Sequence, residues 1–346
     1  MTGAVPRTPP EGAAKAEPPA STGGGTRTRG GLWAGAVAIV ALLLLPAVVS
    51  SYAVTVFIFI FFYGYLGQAW NILGGYGGQL SAGHAAFVGV GAYATTLLSM
   101  HWGVSPWIGM LVGGALAAAL GAIIGALGFR FGLRGFYFVL LTVAFAEVCR
   151  IVALNTEVTG GAVGLYITFT GNPWQLQFRD NRAYYYVALA LVLLATGIVA
   201  GIERSRLGAY LRAIREDEDA AEALGVDTVR YKLYAIVLSA FLTGIGGAFY
   251  ANYLFSLQPN AVFGIPLSVD IIIRPVVGGA GTLAGPLVGS LILSPLAEVA
   301  RIYFTRPGWA GLHLVVYGVL LIGVVLFLPQ GVYPTLRRAW ARRTHA

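Results

Sequence analysis

Three acid–base pairs sit in apolar text at helical spacing: Glu147 with Arg150, Asp270 with Arg274, and Glu298 with Arg301. On a helix, partners three or four residues apart share a face, so these groups would neutralise one another rather than act on a substrate. Glu147/Arg150 and Glu298/Arg301 lie near an expected outer helix end, where local pairing accounts for them. Asp270 and Arg274 fall in a stretch interrupted by Pro266, Pro275 and Gly278-Gly279. Two charges there are costly unless paired or hydrated, which makes them the candidate for a structural lock beside a pathway.

Other reactive groups are sparse. His84, His101, His313 and His345 show no metal-ligand spacing. Cys149 is the single cysteine, which excludes an intramolecular disulfide and reads as an apolar filler. The two lysines, Lys15 and Lys232, are not in a phosphate-cradling glycine loop, so this chain is not expected to hydrolyse ATP. No metal, no cofactor held by the chain and no enzyme activity are expected.

The polar groups left over lie in GGYGGQLSAGHAAFVGVGAYATTLL, residues 74–98. Gly78, Ala82 and Ala86 recur every fourth residue, as do Ala85 and Gly89, which predicts a helix face bare enough for close backbone packing, Gly83 included. Gln79 and His84 are not explained by packing, because a polar group at membrane depth faces a cavity or a partner helix. Both readings stand at this point.

The elements that must position these groups follow from composition. The chain has 346 residues, is 57% hydrophobic and only 10% charged. With a mean hydropathy of +0.76 it cannot hide its apolar groups in one water-soluble core. Apolar runs of about 20 residues predict an all-α polytopic integral membrane protein of nine or ten transmembrane helices. The expected spans are 32–50, 52–73, 79–99, 107–128, 135–154, 184–203, 231–255, 266–279, 284–302 and 312–329, the eighth broken or re-entrant.

Basic residues set the orientation. With Arg7, Lys15, Arg27 and Arg29 cytoplasmic, so are Arg130, Arg134, the 204–230 loop and Arg337, Arg338, Arg342 and Arg343. The other face receives Arg179, Arg182, Arg301 and Arg306, with Arg150 near it. Both termini are then cytoplasmic. This asymmetry accounts for the net charge of +8 without nucleic acid. Residues 1–30, rich in Pro, Gly, Ala and Thr, are expected to form a disordered tail. Residues 31–335 are expected to form the transmembrane domain, with an outer loop at 155–183, and 336–346 a basic tail.

The segment ERSRLGAYLRAIREDEDAAEALGVDTVRYKLYAIVLSA, 203–240, is charged and helix-favouring in its middle. Gly225 offers a helix end, after which Asp227 and Thr228 can cap a return into the membrane. A faint internal echo links GGYGGQLSAG (74–83) to GGAGTLAG (278–285), as in transporters whose broken helices meet at the solute path.

DAAEALG (219–225) resembles the EAA-x3-G loop of ABC importer permeases, with Asp219 for the usual Glu and without the proline that ends the motif in some importers. The wider text resembles the branched-chain amino acid permeases of the LivM type. The likeness is carried by NILGGYGGQLSAGHAAFVGVGAY (71–93), GLRGFYFVLLTVAFAEVCRIV (132–152), NTEVTGGAVGL (155–165), RAIREDEDAAEALGVDTVRYKLYAIVLSAFLTGIGGAFYA (212–251), GGAGTLAGPLVG (278–289) and LFLPQG (326–331). Arg274-Pro275 departs from it, standing where many relatives are plainly apolar.

The resemblance implies a subunit of the bacterial inner membrane bathed in lipid. Its partners would be a second, LivH-type permease, two cytoplasmic ATP-binding subunits that use ATP-Mg, and a periplasmic substrate-binding protein. Arg212, Arg215, Asp219, Ala220, Ala221 and Gly225 would form the ATPase-coupling loop. Branched-chain or other hydrophobic amino acids would be the cargo, with urea, short amides or aromatic acids as alternatives on the same architecture. An ion-coupled secondary carrier would keep the helices but have no use for that loop, and a membrane enzyme would need a reactive constellation.

Overall fold

The computed structural model describes residues 29–304, 318–319, 322–323 and 331–344. The chain divides into two units, Met1–Leu45 and Pro46–Ala346, and the contacts reported below lie in the second. Among the described residues the helices are α1 (Arg29–Val48), α2 (Ser51–Trp70), α3 (His84–Trp102), α4 (Pro106–Arg130), α5 (Phe136–Asn155), α6 (Asn181–Arg204), α7 (Arg206–Glu216), α8 (Glu218–Ala223), α9 (Thr228–Leu254), α10 (Pro259–Val262), α11 (Ile265–Gly278) and α12 (Gly285–Phe304). A last helix covers Val332–Thr344. The all-α polytopic architecture is therefore present. Six described helical segments are long and apolar enough to cross a membrane: 51–76, 106–130, 136–155, 181–204, 228–254 and 259–278.

Several expectations change in detail. The span expected at 79–99 begins only at His84. Before it, α2 runs into a π-helical turn over Asn71–Tyr76, and residues 77–83 are non-helical. Gly78 (φ +66°) and Ala82 therefore do not lie on a helix face with Ala86, whereas Ala85 and Gly89 do. A bare backbone with a left-handed glycine does not propagate a helix. Three of its backbone groups bond inside the protein, as membrane depth favours. Gln79 N–H donates to the Leu73 carbonyl (3.1 Å), Ala82 N–H to Thr142 Oγ1 (3.2 Å), and Trp70 Nε1–H to the Ser81 carbonyl (2.9 Å).

The span expected to be broken at 266–279 is instead one continuous helix, α11, which takes Pro266 in its first turn and Pro275 in its interior; the interruption lies before it, at Phe263-Gly264 between α10 and α11, and α11 stops at the Gly278-Gly279 pair. The span expected at 312–329, tail residues 1–28 and the side chain of Arg301 lie outside the described residues, apart from a few backbone positions of that span. The basic C-terminal tail begins inside the helix that starts at Val332.

Within the second unit the helices pack as two groups. α3, α4 and α9 pack on one another, and α2, α6, α11 and α12 form the other set. Glycine allows the first group its close approach. A Cβ at Gly91 would lie 2.1 Å from the Gly244 carbonyl oxygen, and one at Gly247 2.0 Å from that of Val88. At one end of the bundle a two-residue antiparallel sheet joins Leu165-Tyr166 of the 155–183 loop to Ser256-Leu257. That loop is also pinned to the start of α4, because Ser105 Oγ donates to the Trp174 carbonyl (2.5 Å) and Trp107 Nε1–H to that of Pro173 (3.0 Å).

Candidate coupling site

The 203–240 segment forms two short helices rather than one. Ser205 caps α7 by accepting from Gly208 N–H, and Asp217 breaks the run in extended conformation and caps α8 through Ala220 N–H (2.9 Å). A short polar side chain that bonds its own downstream amide competes with helix continuation, which is why EDED text yields a corner. α8 ends at Gly225 (φ +85°), with Gly225 N–H on the Glu222 carbonyl (2.8 Å) and Val226 N–H on that of Ala221 (3.1 Å). These are the paired bonds of a Schellman ending. Asp227 then caps α9 through Arg230 N–H (3.0 Å).

Burial separates the roles of the expected loop residues. α7 buries Gly208, Leu211 and Ile214, and α8 buries Ala221. Arg212, Asp219, Ala220 and Gly225 are exposed, and Leu224 beside them is 86% exposed. The acidic root of α8 is clamped to other elements. Glu218 pairs with Lys232 of α9, and Arg134 reaches Glu218 (3.3 Å) and Asp219 (2.9 Å). Asp219 and Glu218 together raise the pKa of the Arg134 guanidinium. Lys232 is buried with its ammonium 4.9 Å from the Phe129 ring centroid. Sequence reasoning missed this clamp, although a lone lysine fourteen residues after a glutamate across a helix turn was a visible signal.

Arg215 is exposed as a residue, but its guanidinium donates from Nη1 to the Gly75 carbonyl (2.8 Å). There the two echoing glycine segments meet. Asn71 Oδ1 accepts from Gly281 N–H (2.8 Å), Asn71 Nδ2 donates to the Thr282 carbonyl (3.0 Å), and Gln68 Nε2 donates to that of Leu283 (2.7 Å). Asn71 and Gln68 are buried. They were not singled out from sequence because their partners lie more than two hundred residues away.

His84 is fully buried between Ser81 (Oγ to Nδ1, 2.9 Å) and Ser239 (Nε2 to Oγ, 2.9 Å). Ser239 spends its one proton on the Ala69 carbonyl (2.7 Å). Its oxygen therefore accepts from His84 Nε2–H, and Nδ1 accepts from Ser81. Nε2 thus serves a bond to α9, and Nδ1 one to the non-helical segment just before α3. Gln79 is buried in the non-helical segment, with its Oε1 lacking a hydrogen-bond partner among the described residues. Gly83 and Gly89 are close-packing positions: an added Cβ would meet the Thr142 carbonyl at 1.9 Å and the Phe263 ring at 2.1 Å.

Exchanging His84 for Leu should destabilise the chain by about 0.6–1.7 kcal/mol, the scale of hydrogen bonds between helices in a bilayer. His84→Gln should lose less. Thermal unfolding in detergent checks this, and a leucine variant as stable as the glutamine one would contradict the assigned bonds.

The Asp270/Arg274 contact is loose, 3.4 Å from Nη1 to Oδ1. The Arg274 guanidinium, buried to 1% exposure, also donates to the Asp270 carbonyl and lies 3.5 Å over the Tyr63 ring. Glu147 and Arg150 pair directly, and Arg150 extends the link to Asn260 (2.7 Å). Cys149 is half-buried against the cluster around Tyr93 and Phe263.

Residues 52–325 match the family described as branched-chain amino acid transport system / permease component. The high-affinity branched-chain amino acid transport system permease protein LivM of Escherichia coli (strain K12) is 30% identical over 328 residues, covering 86% of this chain and 75% of the relative. A probable branched-chain amino acid transport permease protein LivH of Methanocaldococcus jannaschii is 22% identical, over 70% of this chain and 79% of its own. The nucleoside ABC transporter permease protein NupC of Lactococcus lactis subsp. cremoris is 24% identical over 75% and 86%. No solved structure matches the chain.

Proposed function

We infer function from the premise that the chain belongs to the permease components of branched-chain amino acid transport systems, as a multi-pass membrane subunit of an ABC importer working with other ABC components. The proposed cargo is a branched-chain or other hydrophobic amino acid. A periplasmic binding protein would deliver it to this chain and a LivH-type permease in the bacterial inner membrane, with both termini cytoplasmic. Two ATP-binding subunits would hydrolyse ATP-Mg, while this chain holds no nucleotide or metal and carries out no chemistry of its own. Arg179 and Arg182 of the outer loop would meet the binding protein.

The observation that supports this most is the α7–α8 element. It is capped at both ends, clamped by Glu218 to Arg134 and Lys232, and exposes Leu224 beside Gly225 at its tip. An apolar knob on a rigid arm suits a partner that pushes. Cargo is tested by purifying the complex from its native membrane and identifying the binding protein and its ligand. Leucine, isoleucine or valine is expected; urea, a short amide, a nucleoside or an aromatic acid would overturn the cargo assignment.

Gly225→Val tests the arm. No atom crowds a Cβ at Gly225, so the effect comes from its left-handed backbone alone, worth about 1–3 kcal/mol of strain in a β-branched residue. The variant should reach the membrane but hydrolyse ATP with little uptake. Unchanged uptake per ATP would remove this segment from coupling.

A further inference from the structure

The coupling element bridges the two helix groups. α8 is clamped to Arg134, which follows α4, and to Lys232 of α9. α7 follows α6 of the other group and sends Arg215 into the junction between the π-helical turn that ends α2 and the non-helical turn between α11 and α12. A Cβ at Gly75 would lie 2.5 Å from Gly281 N, and one at Gly281 2.1 Å from Arg215 Nη1. The guanidinium, the Gly75 carbonyl and the 281 backbone therefore meet closely, with Asn71 Oδ1 beside them, 1.8 Å from the Cβ position of Gly75. The Arg215 stem lies against Gly78, whose Cβ position is 2.9 Å from Arg215 Cγ.

The chemistry suits a firm joint. The last carbonyls of a helix lack internal partners and carry the negative end of its dipole, so a cation that donates to one is favoured. Arginine can pack its stem while its planar head reaches a fixed acceptor, which a lysine does less rigidly. Asn71 and Gln68 tie the Gly281–Leu283 backbone to the end of α2, so a pull on Gly75 is passed to α2 and to the turn between α11 and α12.

We propose that Arg215 is a positioning residue that carries movement of α7–α8 to this junction, and so sets the spacing of the two helix groups at the inner mouth of the pathway. It acts within the chain, not by docking the ATPase. This rests on the reading of α7–α8 as the coupling element.

The test uses the complete complex with its own ATPases and binding protein, reconstituted in vesicles with leucine and ATP. R215Q should keep the ATPases bound while uptake per ATP hydrolysed falls about tenfold. R215K, which retains a cation able to reach the Gly75 carbonyl, should recover a large part of the loss. Uptake per ATP at the wild-type level in R215Q overturns the proposal, and so does loss of the ATPases, which would make Arg215 a docking residue. R215K no better than R215Q removes the bond to Gly75 from the mechanism. If R215Q does not assemble, N71D carries the same readout: it keeps the acceptor for Gly281 but sets an oxygen against the Thr282 carbonyl, and normal coupling in it overturns the proposal. Gly225→Val, measured alongside, separates the two ideas. If it couples normally the coupling-element reading has failed, whereas uncoupling there with normal R215Q leaves that reading standing and removes only this inference.

Discussion

Glu218→Gln is expected to destabilise the permease by about 3 kcal/mol, more than removal of both partners of its ion pair. Lys232 is buried, its side chain 2% exposed, and Glu218 is its acidic partner. Taking away one charge strands the other where water does not reach, whereas replacing both by groups of similar volume removes the desolvation cost as well. Glu218→Gln/Lys232→Met should therefore recover most of the loss, helped by a methionine stem that can still lie on Phe129. Lys232→Met alone should be milder than Glu218→Gln, because Arg134 stays 3.3 Å from Glu218. Thermal unfolding of the four proteins in one detergent measures this. A double variant less stable than Glu218→Gln would show that the pair is not the source of the effect.

Gly83→Ala should prevent recovery of folded protein from the membrane, while Gly89→Ala should be tolerated far better. The two positions differ in what meets the new carbon. At Gly83 it is the Thr142 carbonyl at 1.9 Å, backbone of α5 held in its helix. At Gly89 it is the Phe263 ring at 2.1 Å, a side chain that can turn aside. Overpacking against a rigid backbone costs about 1–3 kcal/mol or more, and here it also threatens the bond from Ala82 N–H to Thr142 Oγ1. The yield of monodisperse protein after extraction reports the difference. Equal yields of the two variants would mean that α5 yields as easily as a ring.

The glycine-rich stretch at 74–98 shows where sequence reading reached and where it stopped. Its lack of bulk announced close packing, and Gly83, Ala85 and Gly89 do pack closely or lie on α3. A four-residue repeat drawn through Gly78 and Ala82 carried the helix too far toward the N-terminus. Periodicity shows which side chains would align in a helix, but not whether the backbone there is helical. What unwinds it is a set of bonds to Leu73, Thr142 and Trp70, and all three partners lie outside the stretch.

His84 and Arg274 teach the same lesson from side chains. Sequence marked both as polar groups that need a reason at membrane depth. It left His84 between a pathway and a partner helix, and the hydroxyl of Ser239, 155 residues away, supplies the bond that occupies its Nε2. For Arg274 the acid four residues back was in plain view, yet the guanidinium stacks on Tyr63, a ring from another helix.

By itself the sequence determined the membrane class, the approximate position of most described helices and the stop at Gly225, since each depends on hydrocarbon thickness, local hydrophobicity or backbone freedom within a few residues. The echo between 74–83 and 278–285 was legible too, as text. Only the tertiary structure decided that the two segments touch, that Asn71 and Gln68 hold them, and that Arg215 and Glu218 fasten one short element to different helix groups. Those contacts join residues far apart along the chain, so they exist only once loops have closed, and the selection among many possible partners is made by shape and by the need to satisfy every buried polar group.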